Sequence, residues 1–161
     1  MKIKTLLAAF LTWMATSLSA QNSYDILSFG AKGDGMTDDA AAIQKAIDRC
    51  SAEGGGVVLM PRNHVFLSGP VELKSNVELH LEATATLKAN PNESIYKLSA
   101  FGENRGEGML WLWAKDAENI SITGKGTIPK SSPHTIIWVA WTNFGNLSFA
   151  CSYQKWLCLC Q

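Results

Sequence analysis

Three aspartates fall within six positions of the stretch GAKGDGMTDDAAAIQKAID, residues 30–48: Asp34, Asp38 and Asp39. Clustered carboxylates are what acid/base chemistry on sugars or phosphates requires, one group giving a proton and another taking one. Other reactive side chains are scattered. His64 and His80 sit in apolar runs with no nucleophile or metal set beside them, and are read as polar-face residues. The Gly-bracketed stretch FGENRGEG (101–108) carries Glu103, Arg105 and Glu107. It reads as a solvated loop, although Arg105 is of the type that pairs with a carboxylate. Cys158 and Cys160 are two thiols without further partners and do not complete the ligand set of a metal.

The elements around the aspartates give them another task. Gly33-Asp34-Gly35 is a turn sequence, and Thr37 or Asp38 can cap a helix running to about Ala52. Ile43, Ala46, Ile47 and Cys50 are spaced i, i+3, i+4, i+7, one apolar helix face. Asp38 and Asp39 would then lie in the first turn, where free N–H groups and the helix dipole favour negative charge. Gly54-Gly55-Gly56 ends the helix. On this reading the aspartate cluster is architecture.

From Val57 the pattern turns to short β-like runs: VVLM (57–60), HVFLSG (64–69), VEL (71–73), NVELHL (76–81), ATLKA (85–89), MLWLWA (109–114), NISITG (119–124) and KGTI (125–128). In NVELHL the apolar Val77, Leu79 and Leu81 alternate with Glu78 and His80. Trp111 and Trp113 alternate with Leu110 and Leu112, so one pair is expected to face inward. Short strands without crossover helices suggest a sandwich, a barrel or a β-solenoid, and the unequal spacers without Asn-Gly hairpins lean towards the solenoid.

The chain has 161 residues, room for one domain, with 14 basic and 14 acidic side chains and no basic patch to suit nucleic acid. Lys2 and Lys4 precede an apolar stretch, Leu6 to Met14, and then the small residues Ala15, Ser17, Ser19 and Ala20. That order is expected of a secretory signal peptide over residues 1–20, with cleavage after Ser19 or Ala20. Its apolar core is too short to span a bilayer, and no membrane span is expected after cleavage. Export makes the expected location secreted or periplasmic. Composition changes at Pro129. The last 33 residues have Lys130 and Lys155 but no Asp or Glu, and hold three of the six tryptophans and three of the four cysteines. Residues 129–161 are therefore expected to be translated out of frame or otherwise foreign to the fold, the alternative being a genuine short extension that covers the last coil.

An ordered set of motifs runs through residues 24–128: Phe29-Gly30-Ala31-Lys32-Gly33-Asp34-Gly35, Asp38-Asp39, Ala42-Ile43-Gln44 with Ala46-Ile47, Gly54-Gly55-Gly56, Ser68-Gly69, and Ile122-Thr123-Gly124-Lys125-Gly126. This set resembles the N-terminal part of polygalacturonase-like glycoside hydrolases, the pectin-degrading family twenty-eight. The resemblance implies an all-β fold, a right-handed parallel β-helix whose N-terminal end is plugged by the helix read at 38–52. It implies hydrolysis of galacturonosyl or rhamnogalacturonan bonds in pectic polysaccharide, with no cofactor and no metal. Such enzymes are inverting hydrolases that use aspartates, a histidine and an Arg/Lys element in Asn-Thr-Asp, Asp-Asp, Gly-His-Gly and Arg-Ile-Lys motifs on later coils. None occurs here at a corresponding place, so no catalytic, cofactor-binding or metal residue is carried over. The alternatives are a pectate-lyase-like protein and a non-catalytic β-helix that binds carbohydrate or serves as structure. With about three coils, the apolar end of the stack is also expected to promote self-association.

Overall fold

The computed structural model describes residues 22–97 and 109–129, together with the backbone of 135–139 and 148–149. Strands β1 (Ser23–Asp25) and β2 (Asp34–Asp38) precede a single α-helix, α1 (Ala40–Ala52). Next come β3 (Gly56–Met60), β4 (Val65–Ser68) and β5 (Val71–Glu72), then β6 (Val77–Leu81), β7 (Thr86–Ala89) and β8 (Met109–Ala114). After these lie β9 (Ser121–Gly124), β10 (Thr135–Val139) and β11 (Ser148–Phe149).

The strands form three sheets in the orders β1-β3-β6-β9-β11, β2-β4-β7 and β10-β8-β5. Every strand pair is parallel. The chain visits the sheets in a fixed rotation, β3-β4-β5 and then β6-β7-β8, so each turn of chain adds one strand to each sheet. This is a right-handed parallel β-helix.

Alternation along the strands builds the core. Val58, Leu79 and Ile122 stack in one row across the first sheet, and Phe66 lies beside Leu87 in the second. All of these are buried. Their neighbours Glu78, His80, Ser121 and Thr123 point outward and are half-buried. The turn entering the first sheet repeats as well: Gly55, Asn76 and Asn119 all have left-handed φ values, 107°, 62° and 55°. Asparagine tolerates this conformation better than most side chains, and here Asn119 Nδ2 also donates to Asn76 Oδ1 at 2.9 Å, tying one coil to the next.

In the first coil α1 stands where a third-sheet strand would follow β2. Ile43, Ala46, Ile47 and Cys50, the face read from the sequence, are all fully buried against the end of the core. Gln44 completes the substitution. Its side-chain oxygen accepts from Glu72 N (2.9 Å) and its Nε2 donates to Glu72 O (3.1 Å). The amide thus pairs with the edge strand β5 as a neighbouring strand would, removing an exposed edge.

The sequence reading needs correction at the start of this cap. The helix begins at Ala40, with no acidic residue in its first turn, and the carboxylate of its N-cap Asp39 makes no cap bond. Asp34-Gly35, read as part of a turn, and Thr37-Asp38, read as the helix cap, belong to β2, although its register against β4 is irregular: Asp34 lies beside Val65 and Asp38 beside Leu67. The bulge exists because Asp34 accepts from the Met36 and Thr37 amides inside the strand. KGTI contributes no strand beyond a single bridge between Thr127 and Thr86. The alternation expected in β8 is also incomplete. Leu110, Trp111 and Leu112 are all buried and Trp113 is half-buried, where the register between β8 and β10 shifts.

A candidate anionic-sugar cleft

The aspartates that opened the sequence reading are committed to the backbone. Asp34 accepts from Met36 N, Thr37 N and Thr37 Oγ1 at 2.7–2.8 Å. The bond from the Thr37 amide, then that from Met36, holds its carboxyl below the ordinary aspartate range. Asp38 Oδ1 accepts from Ala40 N (2.9 Å) and Gly69 N (3.1 Å), and its Oδ2 accepts from Asn90 Nδ2 (2.7 Å). This one side chain therefore links the first coil to the second and third. Asp39 is buried, and its two oxygens accept from Lys32 N (2.7 Å) and Gly33 N (3.0 Å). Asp34 and Asp38 are exposed and Asp39 is buried, and the carboxylate of each accepts from backbone amides.

Polar side chains gather instead on the outer side of the first sheet, at the ends of β3, β6 and β9. Arg62, His80, Glu82, Ala83, Gly124 and Lys125 line an open cleft of about 390 Å³. Adjacent coils supply its walls. Arg62 N donates to Glu82 Oε2 at 2.9 Å, and the guanidinium reaches both carboxylate oxygens at 3.3–3.4 Å. These bonds from Arg62 lower the Glu82 pKa, and the same contact with Glu82 raises that of Arg62.

His80 is fixed from behind. Thr123 Oγ1 donates to Glu78 Oε1 (2.5 Å), which leaves the Thr123 oxygen to accept from His80 Nδ1 at 2.7 Å. Nδ1 therefore carries the proton in the neutral ring, and Nε2 is left as an acceptor. Lys125 is exposed and has no ion-pair partner among the described residues.

Backbone geometry pins Lys125 in place. Leu81 O accepts from both Lys125 N (3.0 Å) and Gly126 N (3.1 Å). Gly124 has φ 107°, and a Cβ there would overlap the Leu81 carbonyl oxygen. A Cβ on Gly126 would come within 2.6 Å of Leu81 Cβ and 2.8 Å of Ala85 O. The GKG sequence thus presses against the preceding coil with its lysine turned outward.

Glu82 is held below the ordinary glutamate range by Arg62, opposite to the raised pKa of a general acid in glycoside cleavage. The sequence shows His80 as an ordinary polar-face residue and Lys125 only as part of the Ile122–Gly126 motif, and nothing in it singles out Arg62 or Glu82. Coil-to-coil pairing brings together residues 20 and 43 positions apart, as in Arg62 with Glu82 and His80 with Thr123. His64 is not part of the cleft. It stacks on Phe66 with ring centroids 5.7 Å apart, and its Nδ1 lies 2.8 Å from Arg62 O. Glu103, Arg105 and Glu107 lie outside the described residues, as do residues 1–20, expected from the sequence to be a signal peptide, and Cys158 and Cys160.

The rotation of strands through three parallel sheets and the helical plug define the right-handed parallel β-helix class of folds. The family model for rhamnogalacturonase A/epimerase, pectate lyase-like proteins matches residues 23–147, and the chain belongs to that family. An exo-poly-α-D-galacturonosidase of Dickeya chrysanthemi is 34% identical over 128 residues, covering 73% of this chain and 21% of that enzyme. The crystal structure of a hyperthermoactive exopolygalacturonase from Thermotoga maritima superposes with a TM-score of 0.60 at 36% identity, covering 69% of this chain and 25% of that one. A mannuronan C5-epimerase of Azotobacter vinelandii is 46% identical over 82 residues, 47% of this chain and 8% of that protein. The chain thus spans a quarter or less of the length of each. The polygalacturonase resemblance read from the motifs is borne out. The family match also runs past the composition change at Pro129, and the backbone of 135–139 and 148–149 continues the third and first sheets.

Proposed function

We propose that this chain forms the N-terminal coils of an exported hydrolase acting on pectic polysaccharide, with the cutting carboxylates on later coils. The observation that carries the reading is the 34% identity to an exo-poly-α-D-galacturonosidase, maintained over 73% of this chain. The commitment of Asp34, Asp38 and Asp39 to backbone amides supports it, because these coils then supply scaffold and surface but no proton donor. Export is supported by the order of Lys2, Lys4, the apolar run Leu6 to Met14 and the small residues ending at Ala20. Mass spectrometry of the mature protein is expected to find Ala20 or Gln21 as its first residue.

The activity is tested on the product of the longest reading frame that carries this sequence, incubated with polygalacturonate. Release of saturated galacturonate with inverted configuration is expected. Unsaturated ends would place the protein among lyases. Epimerised uronates without chain cleavage would place it among epimerases, and either result would overturn the reading.

A further inference from the structure

The cleft between β6 and β9 has features that scaffold alone does not require. Lys125 is held outward between two glycines that cannot carry a side chain, yet its ammonium has no ion-pair partner among the described residues. The Glu78–Thr123 pair fixes the His80 tautomer and leaves Nε2 as an acceptor. Arg62 and Glu82 pair with each other, so Lys125 is the cation of the lining without an ion-pair partner among the described residues. Its volume, about 390 Å³, is that of a small-ligand pocket.

We propose that this cleft is a binding subsite for one uronate residue of an acidic polysaccharide, with Lys125 pairing the sugar carboxylate and His80 Nε2 accepting from a ring hydroxyl. The Lys125 ammonium offers one unpaired positive charge to a singly charged carboxylate, while the Arg62–Glu82 pair beside it is already satisfied. Lys125 and His80 are binding residues, and no bond is made or broken here. That the uronate is galacturonate rests on the pectic reading above; the cleft itself does not depend on it.

The test is titration of the full chain with trigalacturonate, trimannuronate and carboxyl-reduced trigalacturonate, followed by amide NMR shifts at Gly124 and Gly126 and by calorimetry. The acidic trimer is expected to shift those amides and the neutral one to bind at least fivefold more weakly. Lys125→Ala is expected to weaken acidic-trimer binding roughly 5- to 10-fold, the worth of one charge-assisted contact. Lys125→Arg should retain most of the affinity and Lys125→Glu should abolish binding, while circular dichroism stays unchanged because the side chain is exposed. Affinity unaltered by Lys125→Ala, or equal for the neutral trimer, would overturn the cleft and leave the pectic reading standing. Lysine-dependent binding of trimannuronate without trigalacturonate would keep the cleft and remove the pectic reading.

Discussion

Asp34 and Asp39 have the same side chain five positions apart, and burial separates their roles. Asp39 neutralises two amides inside the cap, whereas Asp34 serves an exposed bulge. Asp39→Ala therefore leaves the part-buried N–H groups of Lys32 and Gly33 without their acceptor and is expected to cost about 2–3 kcal/mol, with a smaller loss for Asp34→Ala, measured by urea denaturation. Gly124→Ala should cost about 3 kcal/mol or more, because the added methyl meets Leu81 backbone in a conformation an L side chain rarely adopts. The identities of these residues were visible in the sequence, but their partners were not. A carboxylate before a helix looks like a cap, and only the fold shows Asp39 turned back towards Lys32 and Gly33.

At the scale of elements, the apolar face of α1 and most strand cores were legible, because burial on one face imposes a period of 3.6 or 2 on the sequence. β1 and β2 were not. SYD is too short to show a period, and the bulge in DGMTD breaks the alternation. The cleft was hidden for a different reason: its residues come from successive coils, and coil length varies, so no fixed spacing in the chain announces it. The strand-like role of Gln44 yields a sharp test of the cap. Gln44→Ala leaves the N–H and C=O of Glu72 without partners at the β5 edge and is expected to cost about 1–2 kcal/mol. Gln44→Glu keeps the acceptor, loses the donor, and should fall between. Ile47→Ala opens a cavity beneath the same helix and is expected to cost about 3–4 kcal/mol.

For the whole molecule, coils are joined by polar ties as well as by the core, and these ties give stability a dependence on pH at both ends. Glu82 is held below its ordinary pKa by Arg62, and Asp34 by its amide donors. Burial raises the Asp48 pKa, but the bonds from Lys74 and Gln44 outweigh it and leave it lowered. Lowered folded-state values mean that stability is present above the ordinary carboxylate range and is lost as pH falls through the folded values, below about 4. On the alkaline side burial, then the charge of Asp38, raises Tyr96 to about 12, where its hydroxyl donates to Asn90 O. An unfolded tyrosine ionises near 10, so stability should decline between about 10 and about 12. Urea midpoints across the pH range are expected to show a plateau flanked by these two losses, and Tyr96→Phe should flatten the alkaline one.

The carboxylates of these coils build the fold, and the proposed outer cleft binds without cutting. Incubating the purified 161-residue chain with polygalacturonate and counting new reducing ends puts both statements at risk. No release is expected, from the native chain or from the Asp38→Asn and Asp39→Asn variants. Reducing ends that accumulate with the native chain and disappear with either variant, while the fold persists by circular dichroism, would contradict the account and make the aspartate cluster an active site.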